Sequence, residues 1–180
     1  MLRVAVDGPD AAAPHRLADA LIEPLRVRGR PAVHVDSRTF WRDASLRLEY
    51  GRTDVESLPG WLDADALARE VLVPAARDGS YLPSLRDPVA NRSTRAAPRR
   101  LPAQGVVIVS GALLLGRGLP FDRTVHLAMS APARARRTAP EDAWTLPAFD
   151  RYDDEVRPGE LADVVIRLDD PRRPAVGGLR

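Results

Sequence analysis

Carboxylate and imidazole side chains cluster around two short apolar runs near the start of the chain. Asp7 and Asp36 each end one of these runs, and His15 follows Asp7 by a short loop. These side chain types move protons near neutral pH, so we interpret Asp7, His15 and Asp36 as candidate catalytic acid/base residues. His34 and His126 lie inside apolar runs, and for them we expect a structural role.

The elements that must position these residues alternate between strands and helices. Buried strands are predicted at residues 2–7, 32–36, 105–111, 123–129 and 162–168. Helices are predicted after the first strand and at residues 63–77, 132–138 and 141–156. The segments 39–59 and 79–102 lack clear periodicity and are interpreted as surface excursions. Strands that alternate with helices predict an α/β fold whose mostly parallel sheet, of about five strands, is covered on both faces.

The expected place for a ligand follows from this topology. In open parallel sheets, ligands bind beyond the carboxyl ends of the strands, where Asp7, Asp36 and Ser110 end the first three. The loop that begins at Gly8 leads into the first helix, and the N-terminus of a helix favours an anionic group. We therefore expect a binding pocket at this edge, with Ser110 as a binding residue and Gly8 in an anion-binding loop.

The composition excludes several kinds of chemistry. All 27 basic residues are arginine, so there is no lysine for a Schiff base or a phosphate loop, and there is no cysteine nucleophile or thiolate metal site. The net charge is only +2, so no nucleic-acid partner is expected. No apolar run is long enough to span a membrane, and we expect a cytoplasmic protein with one domain over residues 1–170 and a flexible tail over 171–180.

Five stretches of sequence carry a family resemblance. They are VAVDGPDAAAPHRLADAL, FWRDASLRLEYGR, WLDADALAREVL, YLPSLRDP and WTLPAFDRYDDE. Together they resemble the uridine kinase-like P-loop kinases, especially the actinobacterial members, over nearly the whole chain. The resemblance implies a three-layer P-loop NTPase-like fold. It also implies a substrate side and a lid that binds anions; the substrate-side residues are Asp10, Arg38, Trp41, Tyr50 and Arg52, and the lid residues are Arg134 and Arg137.

The motifs that perform phosphoryl transfer in that family are degenerate here. A phosphate loop needs a second glycine, a lysine and a hydroxyl, but Ala13, Pro14 and His15 occupy these positions. The family's base after the second strand is replaced by Arg38, and its metal-binding acid is replaced by Ser110. Because phosphoryl transfer depends on these charges, we expect it to be lost, with no ATP, magnesium or other metal as cofactor.

Three functions remain open at this point. The first is a kinase-like fold whose pocket now binds a small polar or anionic metabolite, or converts it by acid/base chemistry. The second is a non-catalytic pseudokinase that binds a regulatory partner. An exposed apolar patch beside a collapsed pocket would distinguish it. The third is an active nucleoside or small-molecule kinase with an atypical phosphate clamp. A homodimer is compatible with each of the three.

Overall fold

The computed structural model describes residues 1–178 of the chain, and ten strands and seven α-helices form within that range. The strands are β1 (Leu2–Asp7), β2 (Ala32–Asp36), β3 (Ser80–Tyr81), β4 (Arg86–Asp87), β5 (Arg92–Ser93), β6 (Arg99–Arg100), β7 (Val106–Gly111), β8 (Arg123–Ala128), β9 (Val164–Arg167) and β10 (Ala175–Gly177). The helices are α1 (Pro14–Val27), α2 (Ala44–Arg47), α3 (Ala64–Leu67), α4 (Val73–Asp78), α5 (Ala131–Arg137), α6 (Leu146–Arg151) and α7 (Pro158–Leu161). Single π-helical turns continue α3 at Ala68–Leu72 and α6 at Tyr152–Val156.

Six strands form the central sheet, in the order β10-β9-β8-β1-β7-β2. Neighbours from β9 to β2 run parallel, and β1 lies between β7 and β8. The α/β class and the mostly parallel sheet are thus confirmed. The sixth strand is β10, which lies inside the segment expected to be a flexible tail and pairs antiparallel with β9. Three residues are too few for an alternation of apolar and polar side chains to predict this strand. Residues 179–180 of the expected tail lie outside the described residues.

Helices cover both faces of this sheet and create two apolar cores. On one face, α1 packs leucines spaced four residues apart against β1, β7 and β8, with Val6, Ile108 and Leu127 almost fully buried. On the other face, the π-helical turn between α3 and α4 and the helix α6 bury Leu72 and Phe149 in a larger core. All residues of β7 are buried because both faces of this inner strand are covered.

The two predicted surface excursions are ordered and tied to each other. The second one, residues 79–102, forms two short antiparallel pairs, β3 with β6 and β4 with β5, and we call it the arm. Asn91 in this arm accepts a hydrogen bond from the Ala44 amide (2.9 Å) and donates one to Asp43 (3.2 Å), which also pairs with Arg86. In residues 1–178, no helix is both long and apolar enough to cross a membrane.

Candidate ligand-binding cleft

A cleft of about 550 Å³ opens beyond the carboxyl ends of β1, β2 and β7. Its walls come from the loop after β1, the turn after β2, the segment 41–62, the segment after β7 and the segment around α5 and α6. This is the edge of the sheet at which the topology predicts a ligand. A space of this size accommodates a small molecule of nucleoside dimensions. We call it the main cleft.

All three tryptophans of the chain line the main cleft. The rings of Trp41 and Trp61 meet edge to face with centroids 5.3 Å apart, and Trp144 lies 5.5 Å from Trp61. The guanidinium of Arg47 lies 5.1 Å from the ring centroid of Trp41 and 5.0 Å from that of Trp61. Arg47 is buried and is not part of the cleft wall, so this cation–π contact fixes the two rings from behind.

Four arginines line the same cleft, namely Arg38, Arg52, Arg117 and Arg137. Arg38 donates from its Nε and Nη2 to the two carboxylate oxygens of Asp36, and the Nη2–Oδ2 distance is 2.7 Å. The other three form no ion pair with any residue from 1 to 178. These three arginines therefore bring positive charge to the cleft without a direct salt bridge, and nearby carboxylates such as Asp7 and Asp169 offset that charge only at longer range.

Two carboxylates, Asp10 and Asp142, also line the cleft. Although Asp10 keeps an exposed side, the surrounding protein withdraws water from it and raises its pKa. Arg38 and His15 act in the opposite direction, while Asp36 and Asp142 raise the pKa further. The predicted residues Asp10, His15 and Asp36 are therefore close enough to interact, and Asp10 is the one of them that lines the cleft.

The loop after β1 does not fit a nucleotide phosphate. The Ala12 amide donates to the Pro9 carbonyl (2.8 Å) and the Ala13 amide to the Asp10 carbonyl (2.9 Å), so both amides turn back into the loop. Pro9 and Pro14 have no N–H to offer. A phosphate needs several free amides pointing into one concavity, and here it would also face the Asp10 carboxylate. The geometry thus disagrees with ATP as a resident group.

Asp7 is fully buried and does not line the main cleft. Its Oδ1 accepts from the Leu114 amide (2.8 Å), and its Oδ2 lies 2.7 Å from His126 Nδ1 and 3.2 Å from the Tyr152 hydroxyl. The Tyr152 hydroxyl also accepts from the Leu115 amide at 2.9 Å. This carboxylate joins β1, β8, the segment after β7 and the end of α6, so its contacts are those of a structural centre.

Tyr152 gives a testable dependence of stability on pH. Burial, followed by the Asp7 charge, raises its pKa far above the ordinary value near 10. The unfolded chain loses this proton above about pH 10 while the folded protein keeps it, so stability is complete below that pH and falls above it. We expect the free energy of unfolding to decrease by up to about 1.4 kcal/mol per pH unit there.

Urea unfolding at a series of alkaline pH values would measure this slope, with Tyr152→Phe as the comparison. The absence of lysine and cysteine makes the range simple to interpret, since three tyrosines are the side chains that titrate in it. The Tyr152→Phe protein is expected to lose most of the slope. An unchanged slope in this variant would assign the alkaline titration to another tyrosine.

Ser110 is buried beneath the sheet edge and does not reach the cleft. His34 Nε2 lies 2.7 Å from Ser110 Oγ, and His34 Nδ1 lies 2.8 Å from Asp19 Oδ1. The order serine, histidine, aspartate is that of a hydrolase triad, but the serine has no access to a substrate. The three groups instead connect β7, β2 and α1.

The predicted anion-binding lid is only partly available. Arg134 is 2% exposed, pairs with Asp150 (2.5 Å) and Asp153 (2.8 Å), and lies over the Phe149 ring. It therefore fastens α5 to α6 and is not free to bind a ligand. Arg137 does line the main cleft, where its Nη2 donates to the Leu168 carbonyl and its buried Nε has no partner in the described part of the chain.

The structure separates the predicted site residues into two groups. Lining the main cleft are Asp10, Arg38, Trp41, Arg52 and Arg137. Outside its wall are Asp7, Gly8, His15, Asp36, Tyr50, Ser110 and Arg134, of which Tyr50 is 75% exposed on the surface. Sequence reasoning missed Arg117 and Asp142 as cleft residues. Arg117 lies between two glycines just after a strand end at the sheet's ligand-binding edge, and that position is the signal that could have identified it.

Metal ligands do not gather anywhere in residues 1–178, since no three histidine or carboxylate side chains lie close enough together to hold an ion.

Comparisons with known proteins find similarity in the fold alone. No protein-family model and no curated protein matches the chain. Among solved structures, a possible uridine kinase from Bacillus stearothermophilus superposes with a TM-score of 0.74 at 17% identity, covering 91% of this chain and 87% of its own. A candidate fructose transport system kinase from Silicibacter sp. TM1040 gives a TM-score of 0.62 at 20% identity, with coverages of 89% and 85%. The YGR205w protein gives 0.59 at 11% identity, with coverages of 99% and 90%. The chain therefore has the fold of the P-loop kinases.

Proposed function

We propose that this protein is a kinase-like fold that has lost ATP-dependent phosphoryl transfer and binds a small polar or anionic metabolite in the main cleft. The observation that carries the proposal is the loop after β1, whose amides from Ala12 and Ala13 are used inside the loop. The missing lysine removes the charge that would hold the phosphates. An open cleft with three unpaired arginines supplies a place for a different, anionic ligand.

Binding is better supported than conversion of the ligand. Of the three residues interpreted as acid/base catalysts, Asp7 is buried in the interior and His15 lies outside the cleft wall. The third, Asp36, accepts from Arg38 on both oxygens. Asp10, which we predicted as a substrate-binding residue, is the better candidate for proton transfer, because it lines the cleft and burial raises its pKa. The partner-binding alternative has less support, because the tryptophans line an open cleft and do not form an exposed patch over a collapsed one.

Calorimetric titration with Mg-ATP tests the loss of phosphoryl transfer. We expect no saturable heat up to millimolar nucleotide, while a uridine kinase with an intact phosphate loop binds under the same conditions. A phosphate-release assay with nucleosides as acceptors should likewise stay at background. Magnesium-dependent saturable binding by this protein would overturn the proposal and favour an active kinase with an arginine clamp.

A further inference from the structure

The main cleft combines two features that together restrict the chemistry of its ligand. One is a continuous aromatic wall, formed by Trp41, Trp61 and Trp144. The other is a half-buried cation, Arg117, which forms no salt bridge with any residue from 1 to 178, although the Asp7 carboxylate acts on it at longer range. An inference from these features rests on the proposed function, because it names the class of ligand that the same cleft takes.

The aromatic wall favours a planar ring over an ammonium group. Cages of tryptophan often bind quaternary ammonium ions, because the negative ring faces attract a cation. Here Arg47 already lies against Trp41 and Trp61 from the protein side and takes up that attraction. A second cation in front of the same rings would be repelled by Arg47 and by the cleft arginines. An uncharged ring gains from stacking without this repulsion.

Arg117 supplies the anion-binding group beside that wall. Its Nη2 donates to the Pro59 carbonyl at 2.6 Å, two residues before Trp61, and its Nε donates to the Leu113 carbonyl. These two bonds hold the guanidinium at the cleft wall but do not neutralise it, because both acceptors are uncharged carbonyls. Burial lowers the pKa of Arg117, which means that the charged form is poorly solvated where it stands. A ligand anion would compensate this cost with a charge-assisted hydrogen bond.

We propose that the ligand of the main cleft is an aromatic acid, whose ring lies against Trp61 and Trp144 and whose carboxylate or phosphate pairs with Arg117. Both acid groups satisfy the same guanidinium, so the shared chemistry is a planar ring with one attached anion. Arg52 and Arg137, which form no salt bridge within residues 1–178, add positive charge to the cleft wall, although Asp169 acts on Arg137 at longer range.

Tryptophan fluorescence provides a direct assay, because all three tryptophans line the cleft. Four probes separate ring from charge: phenylacetate, phenyl phosphate, benzylamine and cyclohexylacetate, none of which absorbs where indole is selectively excited. We expect phenylacetate or phenyl phosphate to change the emission saturably, with at least about tenfold higher affinity than benzylamine and cyclohexylacetate. The stronger of the two acids identifies carboxylate or phosphate as the natural group.

Variants of Arg117 test the anchor itself. Arg117→Gln should reduce the affinity for the better acid by about tenfold, Arg117→Lys should retain most of it, and the exposed Arg77→Gln should match the parent protein. Thermal unfolding shows whether the loss of the Pro59 and Leu113 contacts has disturbed the fold. If Arg117→Gln is unfolded, Trp144→Leu serves in its place and should weaken both aromatic acids, since it removes the ring and keeps an apolar side chain.

Equal responses to acid and amine, equal responses to the aromatic and cyclohexyl acids, or no response to any probe at millimolar concentration would each overturn the aromatic-acid proposal. The same would follow from an Arg117→Gln protein that is folded and binds the acid normally. None of these results would overturn the proposed loss of ATP-dependent phosphoryl transfer, because that proposal is tested separately and would be overturned only by the binding of Mg-ATP.

Discussion

Replacing Asp7 with alanine is expected to lower the free energy of unfolding by about 3–5 kcal/mol. The change leaves three buried donors, on Leu114, His126 and Tyr152, without their common acceptor. Each buried donor that loses its partner costs about 1–3 kcal/mol. The site is 0% exposed, so water reaches the vacated position poorly. Urea unfolding followed by circular dichroism measures the loss.

A second aspartate–histidine pair in the same chain supplies the control. Asp19 lies 2.8 Å from His34, a distance close to the 2.7 Å between Asp7 and His126, but the Asp19 side chain is 66% exposed. Asp19→Ala should therefore cost less than about 1 kcal/mol. Asp7→Asn should fall between the two, because the amide keeps the shape and an acceptor oxygen. Similar losses for Asp7→Ala and Asp19→Ala would show that burial does not set the value of this contact.

The strands could be predicted because their side chain patterns are long enough to be unambiguous. The predicted strands at 2–7 and 32–36 coincide with β1 and β2, and the run at 105–111 differs from β7 by one residue. Apolar residues on both faces identify an inner parallel strand from local sequence alone. The arm over residues 79–102 was less predictable, because its strands are two residues long and depend on distant contacts such as the one from Asn91 to Asp43.

The direction of each site residue depended on contacts that local sequence does not contain. Asp7 does end a strand at the ligand-binding edge, as predicted, but a strand alternates its side chains between two faces. Its partner Tyr152 lies 145 residues away, and that contact places the carboxylate in the larger core. In the same way, Asp36 could be located at the end of β2 without its pairing with Arg38 being evident.

The cleft wall contains one feature that the sequence predicts and two that it does not. The difference between the loop after β1 and a phosphate-loop motif could be predicted from the sequence, because Ala13, Pro14 and His15 can be compared position by position with a motif whose chemistry is known. The closed shape of that loop could not be predicted from the sequence, because it follows from hydrogen bonds among Pro9, Asp10 and their neighbours. Arg117 belongs to no motif, and its role arises from the segment at Pro59 to which it donates.

Replacing Gly111 with alanine is the second large effect that we expect, with a cost of about 1–3 kcal/mol. Gly111 ends β7 and packs directly against the turn that follows β2. A β-carbon at this position would lie 1.8 Å from Ser37 Oγ and 2.9 Å from Ser37 Cβ. Rotation of the serine hydroxyl relieves the first contact but not the second, so the backbone of one of the two segments must move.

The same substitution should disturb the ligand site, because Ser37 and the following Arg38 both line the main cleft. We expect weaker binding of the better aromatic acid together with the loss of stability, and partial recovery of both in the double variant Gly111→Ala, Ser37→Gly. Gly159→Ala is the matched control, since an added β-carbon there meets nothing within 4 Å and stability should change by less than about 0.5 kcal/mol. A Gly111→Ala protein with the stability and affinity of this control would mean that the turn carrying Arg38 can shift freely. In that case the contact between β7 and the turn would not be what positions the cleft wall.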